Sequence, residues 1–381
     1  MNTIYFDNSA SAIPCPPALG VFAETAKIYA NPSSLHSAGL HTRRLIEDAR
    51  AKVAAGFRCQ SESITFTSGG TESNNTAVRG LAHKNRRAGN VVVTTRAEHP
   101  SVVSTALALE REGYETVFIA SPGGVPDLNE LESVLKSKKV CLVTLMQANN
   151  QNGAVTDLKK VRGVMDSTGT GALLHSDCVQ SFLKLPDESA SDAVRFCDSA
   201  SVSAHKIGGV KGTGALYVRK GLAMPALMTG GEQENGVRPG TENVAGICAM
   251  AEAVAHYGAA ERAKVAKLRD YVLDSLRAQL GENVVITEPP RHIDSLFNMA
   301  LVNVKSEVAL NYLNSVGVCV SSSSACSSKA KTNAALASMG YGDAYERSAL
   351  RIGISPYNTK EECDLLVAAL KGALAFRIKG K

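Results

Sequence analysis

Apolar and polar residues alternate along this chain with two different periods. Short apolar runs at Ser63–Thr67, Val91–Thr95, Thr116–Ala120, Val140–Met146, Ala172–Ser176 and Ala215–Arg219 have the length of strands. Between them lie segments with apolar residues at helical spacing, such as His41–Phe57, Glu72–Arg86 and Pro100–Glu112. Strands that are apolar almost throughout are covered on both faces, so the alternation predicts a mostly parallel sheet between two layers of helices. From Asn243 to about Leu280 the pattern is helical with a break near Gly258. It then changes to strands at Val284–Thr287 and Leu296–Val304, a short helix capped by Ser306 that ends near Gly317, and a final helix over Asn358–Ala375. Asn358-Thr359 begins that last helix, with acidic residues in its first turn. The change of pattern predicts a domain boundary near residue 258 and a second, smaller α+β domain.

Length and composition support this division. A chain of 381 residues exceeds one ordinary core, and 44% hydrophobic with 20% charged residues is the composition of a soluble globular protein. The net charge of +5 comes from 41 basic and 36 acidic residues spread along the chain, with no basic block to track a phosphate backbone, so no nucleic acid partner is expected. The amino-terminal segment MNTIYFDNSASAIPCPP has no basic stretch followed by an apolar run, and no segment approaches the roughly twenty apolar residues of a membrane span. A cytoplasmic location and no membrane partner are therefore expected. Nine cysteines form no CxxC pair, which predicts neither a disulfide framework nor a metal site. Most read as small buried residues, Cys326 excepted.

Three segments carry candidate chemistry. Phe66-Thr67-Ser68-Gly69-Gly70-Thr71-Glu72-Ser73-Asn74 runs from a strand into a helix, where glycine lets the backbone approach and free N–H groups face an anion. Ser201-Val202-Ser203-Ala204-His205-Lys206-Ile207-Gly208-Gly209 places a lysine among small and polar residues ahead of glycines. Carbonyl capture needs such an amine, partly desolvated so that it loses its proton; the other lysines read as solvated. Leu173-Leu174-His175-Ser176-Asp177-Cys178-Val179-Gln180 is a buried strand that ends in an acid, placed where open α/β sheets bind ligands and able to hold a pyridine nitrogen protonated.

With these three in order, the chain resembles the class V aminotransferase superfamily and, within it, the NifS/IscS-like cysteine desulfurases. The likeness runs from Tyr5-Phe6-Asp7-Asn8-Ser9-Ala10-Ser11 through Asn31-Pro32-Ser33-Ser34-Leu35-His36, Ala97-Glu98-His99, Asn149-Asn150 and Ser203-Ala204-His205-Lys206. It continues through Arg238-Pro239-Gly240-Thr241-Glu242-Asn243, Ser323-Ser324-Ala325-Cys326-Ser327-Ser328 and Leu350-Arg351-Ile352. The resemblance implies an α/β fold of the pyridoxal-phosphate (PLP) transferase type I, with a seven-stranded, mostly parallel sheet in a large domain (residues 13–257). The small domain then comprises residues 1–12 and 258–381 and carries a catalytic cysteine loop.

It also implies roles. Lys206 joins the PLP aldehyde, His99 stacks on the ring and assists catalysis, and Asp177 pairs with the ring nitrogen. Gln180 and Asn150 bond the ring hydroxyl oxygen. Gly70, Thr71, Ser203 and His205 hold the phosphate, with Thr241 donated by the second subunit of a homodimer. Arg351 grips the substrate carboxylate, with Asn8 and Asn150 beside it. L-cysteine is the implied substrate, and Cys326, in a small polar loop, takes its sulfur as a persulfide and leaves alanine. The sulfur acceptor is an iron–sulfur scaffold, the machinery of transfer RNA thiolation, or another protein.

Three departures stand out. Gln151-Asn152-Gly153 replaces the Glu usual after the paired asparagines, Asn235 stands where arginine is common, and the chain stops at Lys381 without the longer tail of many scaffold-binding relatives. These leave the cofactor residues intact and bear on scaffold docking. The alternatives are another reaction on the same fold, such as selenocysteine lyase or aminotransferase chemistry, or a degenerate relative acting as an assembly partner.

Overall fold

A computed structural model describes residues 3–322 and 334–378. The first strand is β1 (Ile4–Tyr5); β2 (Ile64–Thr67), β3 (Val91–Thr95), β4 (Glu115–Ile119), β5 (Val140–Thr144), β6 (Leu173–Asp177), β7 (Ser199–Ser203) and β8 (Gly214–Val218) follow. β2 to β8 form one sheet of seven strands in the order β2-β8-β7-β6-β5-β3-β4. β8 runs antiparallel to both its neighbours, and the remaining pairings are parallel. Every residue of β3 and β5 is buried, as continuous apolar runs require.

β7 departs from that rule. Its sequence, Ser-Ala-Ser-Val-Ser, has no apolar run to mark it, yet all five residues are buried next to β6. Its hydroxyls are acceptable there because the site supplies partners: Ser199 Oγ lies 2.7 Å from His175 Nδ1.

Two helix starts differ from the sequence pattern. Ser37–Phe57 begins before His41, since His36 Nδ1 accepts the Gly39 N–H at 3.2 Å. Ser306 is the first helical residue of Ser306–Ser315, with Lys305 at the cap position and no capping side chain. The last helix spans Lys360–Ala373 behind a reciprocal Thr359–Glu362 cap, and the break at Gly258 separates Val244–His256 from Ala259–Leu280.

The carboxyl-terminal part builds a second sheet from β9 (Val284–Thr287), β10 (Leu296–Leu301), β12 (Ser321–Ser322) and β13 (Ala349–Gly353), in the order β12-β13-β10-β9. β11 (Val318–Cys319) pairs in parallel with β1, and Asp7 bridges to Gly353, so the amino-terminal segment joins this sheet. One apolar cluster runs from Cys15 to Val254 around the large sheet; another joins Phe6 to residues between Val265 and Ala373. Among the described residues no helix is long and apolar enough to cross a membrane, and the eight described cysteines are free.

Candidate active site

Four connections leave the same edge of the large sheet. β2 leads into Gly69-Gly70, β3 into His99, β6 ends at Asp177, and β7 passes into a single 3-10 turn that ends at Lys206. This is the carboxyl edge, where strand ends of open α/β sheets leave a crevice.

A hydrogen-bond chain behind Asp177 settles which group donates at each step. Ser199 Oγ meets His175 Nδ1, and His175 Nε2 lies 3.1 Å from Asn74 Oδ1. The Asn74 amide donates one N–H to Asp177 Oδ2 at 2.7 Å and the other to Ser101 Oγ at 2.9 Å. Ser101 Oγ is 2.8 Å from His99 Nδ1, which also accepts the Ser101 backbone N–H at 3.1 Å. Because Nδ1 of His99 accepts that N–H, the proton of the neutral ring sits on Nε2. Burial pushes His175 down to about 3, so its ring is neutral and donates to Asn74 from Nε2. The second Asp177 oxygen accepts the Val179 N–H at 2.9 Å, which fixes the carboxylate's orientation.

His99 links this chain to the lysine. Burial depresses its pKa, Asp177 opposes that shift, and Lys206 adds to it, so both charges lie within electrostatic reach of the ring. Lys206 Nζ donates to the Ser9 carbonyl at 2.7 Å and to the Ala10 carbonyl at 2.9 Å. The glycine turn joins from the other side. Gly69 has φ +151°, which favours glycine, and a Cβ on Gly70 would stand 2.7 Å from Val179 Cγ2, two residues beyond Asp177. Ser203 approaches both glycines. No side chain caps the helix Gly70–Lys84, so its first N–H groups are open to an anion. His205 is driven down to about 4 by burial and by Lys206, Lys211 and Lys184, which keeps it a neutral donor or acceptor near Ser11. Thr71 is exposed at the mouth of the turn.

Gln180 is buried, and its Nε2 donates to the Ser9 carbonyl at 2.8 Å. Arg351 spends Nη1 on the Asn150 carbonyl and Nη2 on Asp7 and Ser321, while its buried Nε has no partner among the described residues. That donor is free to bind an incoming carboxylate oxygen. Asn8 is buried and makes hydrogen bonds within the protein. Its amide donates to the carbonyls of Tyr5 and Gly353 and to Asn358, and its oxygen accepts the Ile13 N–H. It therefore braces the segment whose next carbonyls, Ser9 and Ala10, receive Lys206. Thr241 is exposed, and no hydrogen bond among the described residues joins it to this cluster. Cys326 lies outside the described residues.

The departures have local explanations. Gln151 is buried within the turn that Asn149 organises, and Asn152 ties that turn to the Gly123 carbonyl and Tyr341. Asn235 follows Glu234 in the left-handed region, at φ 55°, which asparagine tolerates. Glu234 forms a two-pronged buried pair with Arg50, 2.7 Å on each arm, and accepts the Phe66 N–H, which anchors this loop to β2.

Sequence reasoning missed Asn74, Ser101, His175 and Lys184. Asn74 lies four residues after Gly70, on the same helix face, which is the signal that could have exposed it. Lys184 is buried, not solvated as expected of it, and no sequence pattern marks it.

Glu98 is wholly buried beside this network. Burial raises its carboxyl well above the usual range, Asp177 adds to the shift, and the Met146 N–H at 2.5 Å opposes it. The unfolded carboxyl titrates near about 4.3, so above that pH the folded protein holds a proton the unfolded chain has released, and stability falls as pH rises. Each such pH unit costs about 1.4 kcal/mol. Glu98→Gln is expected to flatten this decline. Thermal unfolding from pH 5 to 8 tests it, and identical slopes for both proteins would contradict it.

Comparison with known proteins gives a consistent picture. The family model described as Aminotransferase class-V matches residues 4–366. The chain is 33% identical over 379 residues to "Cysteine desulfurase" of Trichormus azollae, covering 97% of this chain and 92% of the relative. It is 33% identical over 352 residues to "Cysteine desulfurase IscS" of Dictyoglomus turgidum, covering 90% and 87%. Among solved structures, one titled "NIFS-LIKE PROTEIN" superposes with a TM-score of 0.89 at 30% identity, over 98% of this chain and 100% of the other. Another, titled "SspA in complex with cysteine", gives 0.80 at 26%, over 93% and 99%.

Proposed function

Because this chain belongs to the class V aminotransferase family and is a cysteine desulfurase within it, we propose that it holds PLP at the carboxyl edge of the large sheet and passes the sulfur of L-cysteine to Cys326. The observation that carries the cofactor assignment is the chain His175–Asn74–Asp177, which delivers an oriented, buried carboxylate on the same face as His99 and Lys206. The residues fit the group: an amine for its aldehyde, an acid for its ring nitrogen, and an uncapped glycine turn with Ser203 and His205 for its phosphate.

When bound, PLP supplies an electron sink that weakens the substrate's carbon–sulfur bond. The protein's residues do the rest. Asp177, aligned by Asn74 and Val179, holds the ring nitrogen's proton. His99, neutral with its proton on Nε2, would cover the ring. Lys206 moves the proton at the substrate α-carbon between that carbon and its amine. Arg351 takes the carboxylate with its free Nε, and Asn150, whose carbonyl orients Arg351, with Gln180 bonds the ring oxygen. Cys326, as thiolate, would attack the substrate sulfur: the S–S bond of the persulfide forms as the carbon–sulfur bond breaks, the bond pair stays with the carbon fragment, and that fragment takes up a proton and leaves as alanine.

Residues 13–257 form the large domain and 1–12 with 258–381 the small one, supported by the separate apolar clusters. The enzyme works as a homodimer in which Thr241 serves the partner's phosphate site; the exposure of Tyr29 at 98% and Leu35 at 87% supports a covering subunit. Sulfur passes from Cys326 to an acceptor protein, of iron–sulfur assembly or transfer RNA thiolation, in the cytoplasm. The test is incubation of the PLP-loaded protein with L-cysteine, followed by measurement of alanine and of the mass of the Cys326 peptide. Alanine accompanied by a persulfide on Cys326 is expected. Alanine without that persulfide would refute the sulfur relay.

A further inference from the structure

Lys184 is a buried lysine that the desulfurase mechanism leaves without a task. It sits in the turns that follow β6, directly after Leu183, whose φ of 63° is a left-handed conformation that non-glycine residues seldom adopt. The strained step is followed by an amine held inside the protein, 9% exposed, with its Nζ 3.2 Å from Gln180 Oε1. No carboxylate pairs with that Nζ within ion-pair distance among the described residues. Burial, with Lys206 adding to the effect, brings Lys184 down to about 7.

The titratable groups around it are Lys206 and His205, and, across a cavity of about 20 Å³, Cys15, His256, Tyr257, Glu261 and Tyr357. That volume has room for one water. Glu261 is the one acid lining it.

An amide side chain can turn either end towards its neighbours. Gln180 meets an acceptor, the Ser9 carbonyl, at one end and Lys184, which has donors whatever its charge, at the other. Both demands fix the oxygen towards Lys184 and the NH₂ towards Ser9. One N–H goes to the carbonyl that also receives Lys206, and an amide nitrogen has a second N–H to donate.

We propose that Lys184 is a positioning residue for the cofactor: by holding the Gln180 oxygen it keeps the Gln180 NH₂ aimed at the ring oxygen of PLP. This rests on the PLP reading above. An N–H donated to that oxygen favours its anionic form, so the proton shared near the Lys206 link is held less tightly. Loss of the donor raises the pH at which the bound cofactor's visible band titrates.

The test is a spectrophotometric pH titration of PLP-loaded wild type, K184M, Q180L and the double variant. K184M is expected to raise the midpoint by about one pH unit, tenfold in proton affinity, the size of one hydrogen bond to a charged acceptor. Q180L should shift it similarly, and K184M in the Q180L background should add nothing further. An unshifted K184M midpoint overturns the proposal. So do additive shifts, which would mean that Lys184 acts by charge alone. If K184M does not fold, K184A carries the same expectation and the same refutation. A wild-type chain that takes up no PLP, or a band that survives in Lys206→Ala, sinks the cofactor reading itself, whereas a normal wild-type band with K184M unshifted sinks only the Lys184 role.

Discussion

Lys206→Ala is expected to lower desulfurase turnover by about 10³-fold or more while leaving the fold intact. On the proposed function one amine has two tasks, the covalent hold on the cofactor and the movement of the α-proton, and a positioned acid–base group alone contributes about 10²–10⁴. The fold should survive because Lys206 is half-buried and bonds two carbonyls, Ser9 and Ala10, that a water can satisfy in its place. Alanine production under saturating L-cysteine and PLP measures the effect. Retention of more than a tenth of the wild-type rate would remove Lys206 from the chemistry.

Asp177→Asn is expected to cost about 10²–10³ in kcat, the range for removing a preorganised electrostatic group from an active site. The substitution keeps the shape and removes the charge that, on the proposed function, holds the ring nitrogen's proton. Both neighbours of the carboxylate are donors, the Asn74 NH₂ at 2.7 Å and the Val179 N–H at 2.9 Å, so whichever way the new amide turns its NH₂ faces one of them and that hydrogen bond is lost. The variant should therefore also bind PLP less tightly. Parallel measurement of kcat and of cofactor release by dialysis tests both statements, and an unchanged kcat would show that the ring nitrogen does not depend on Asp177.

The strands of the large sheet illustrate what hydropathy reveals. β3 and β5 are buried on both faces, so each residue is apolar or nearly so, and their limits could be read to within two residues. β7 is equally buried but consists of serine, alanine and valine, and its hydroxyls depend on partners such as His175 on β6, 24 positions away in sequence and adjacent in space. Only the assembled sheet supplies that partner, so no local pattern could mark the strand. Helix starts behaved similarly: His36 caps Ser37–Phe57 through a ring nitrogen, a donor–acceptor geometry that composition does not encode.

The site divides along the same line. Chemistry tied to local order was legible: a glycine turn between strand and helix, a lysine among small residues, and an acid at a strand end each carry a signature within ten residues. The position of Asn8 in a motif does not say where its amide points, and the structure directs it to Gly353 and Asn358, some 350 positions away in the chain. By itself, the sequence determined the sheet's apolar strands, the order of the motifs and the groups proposed to hold a phosphate, an aldehyde and a ring nitrogen. The tertiary structure alone decided which side chains orient those groups, Asn74 behind Asp177 and Lys184 behind Gln180, because hydrogen-bond direction between residues distant in sequence is set by packing and not by local pattern.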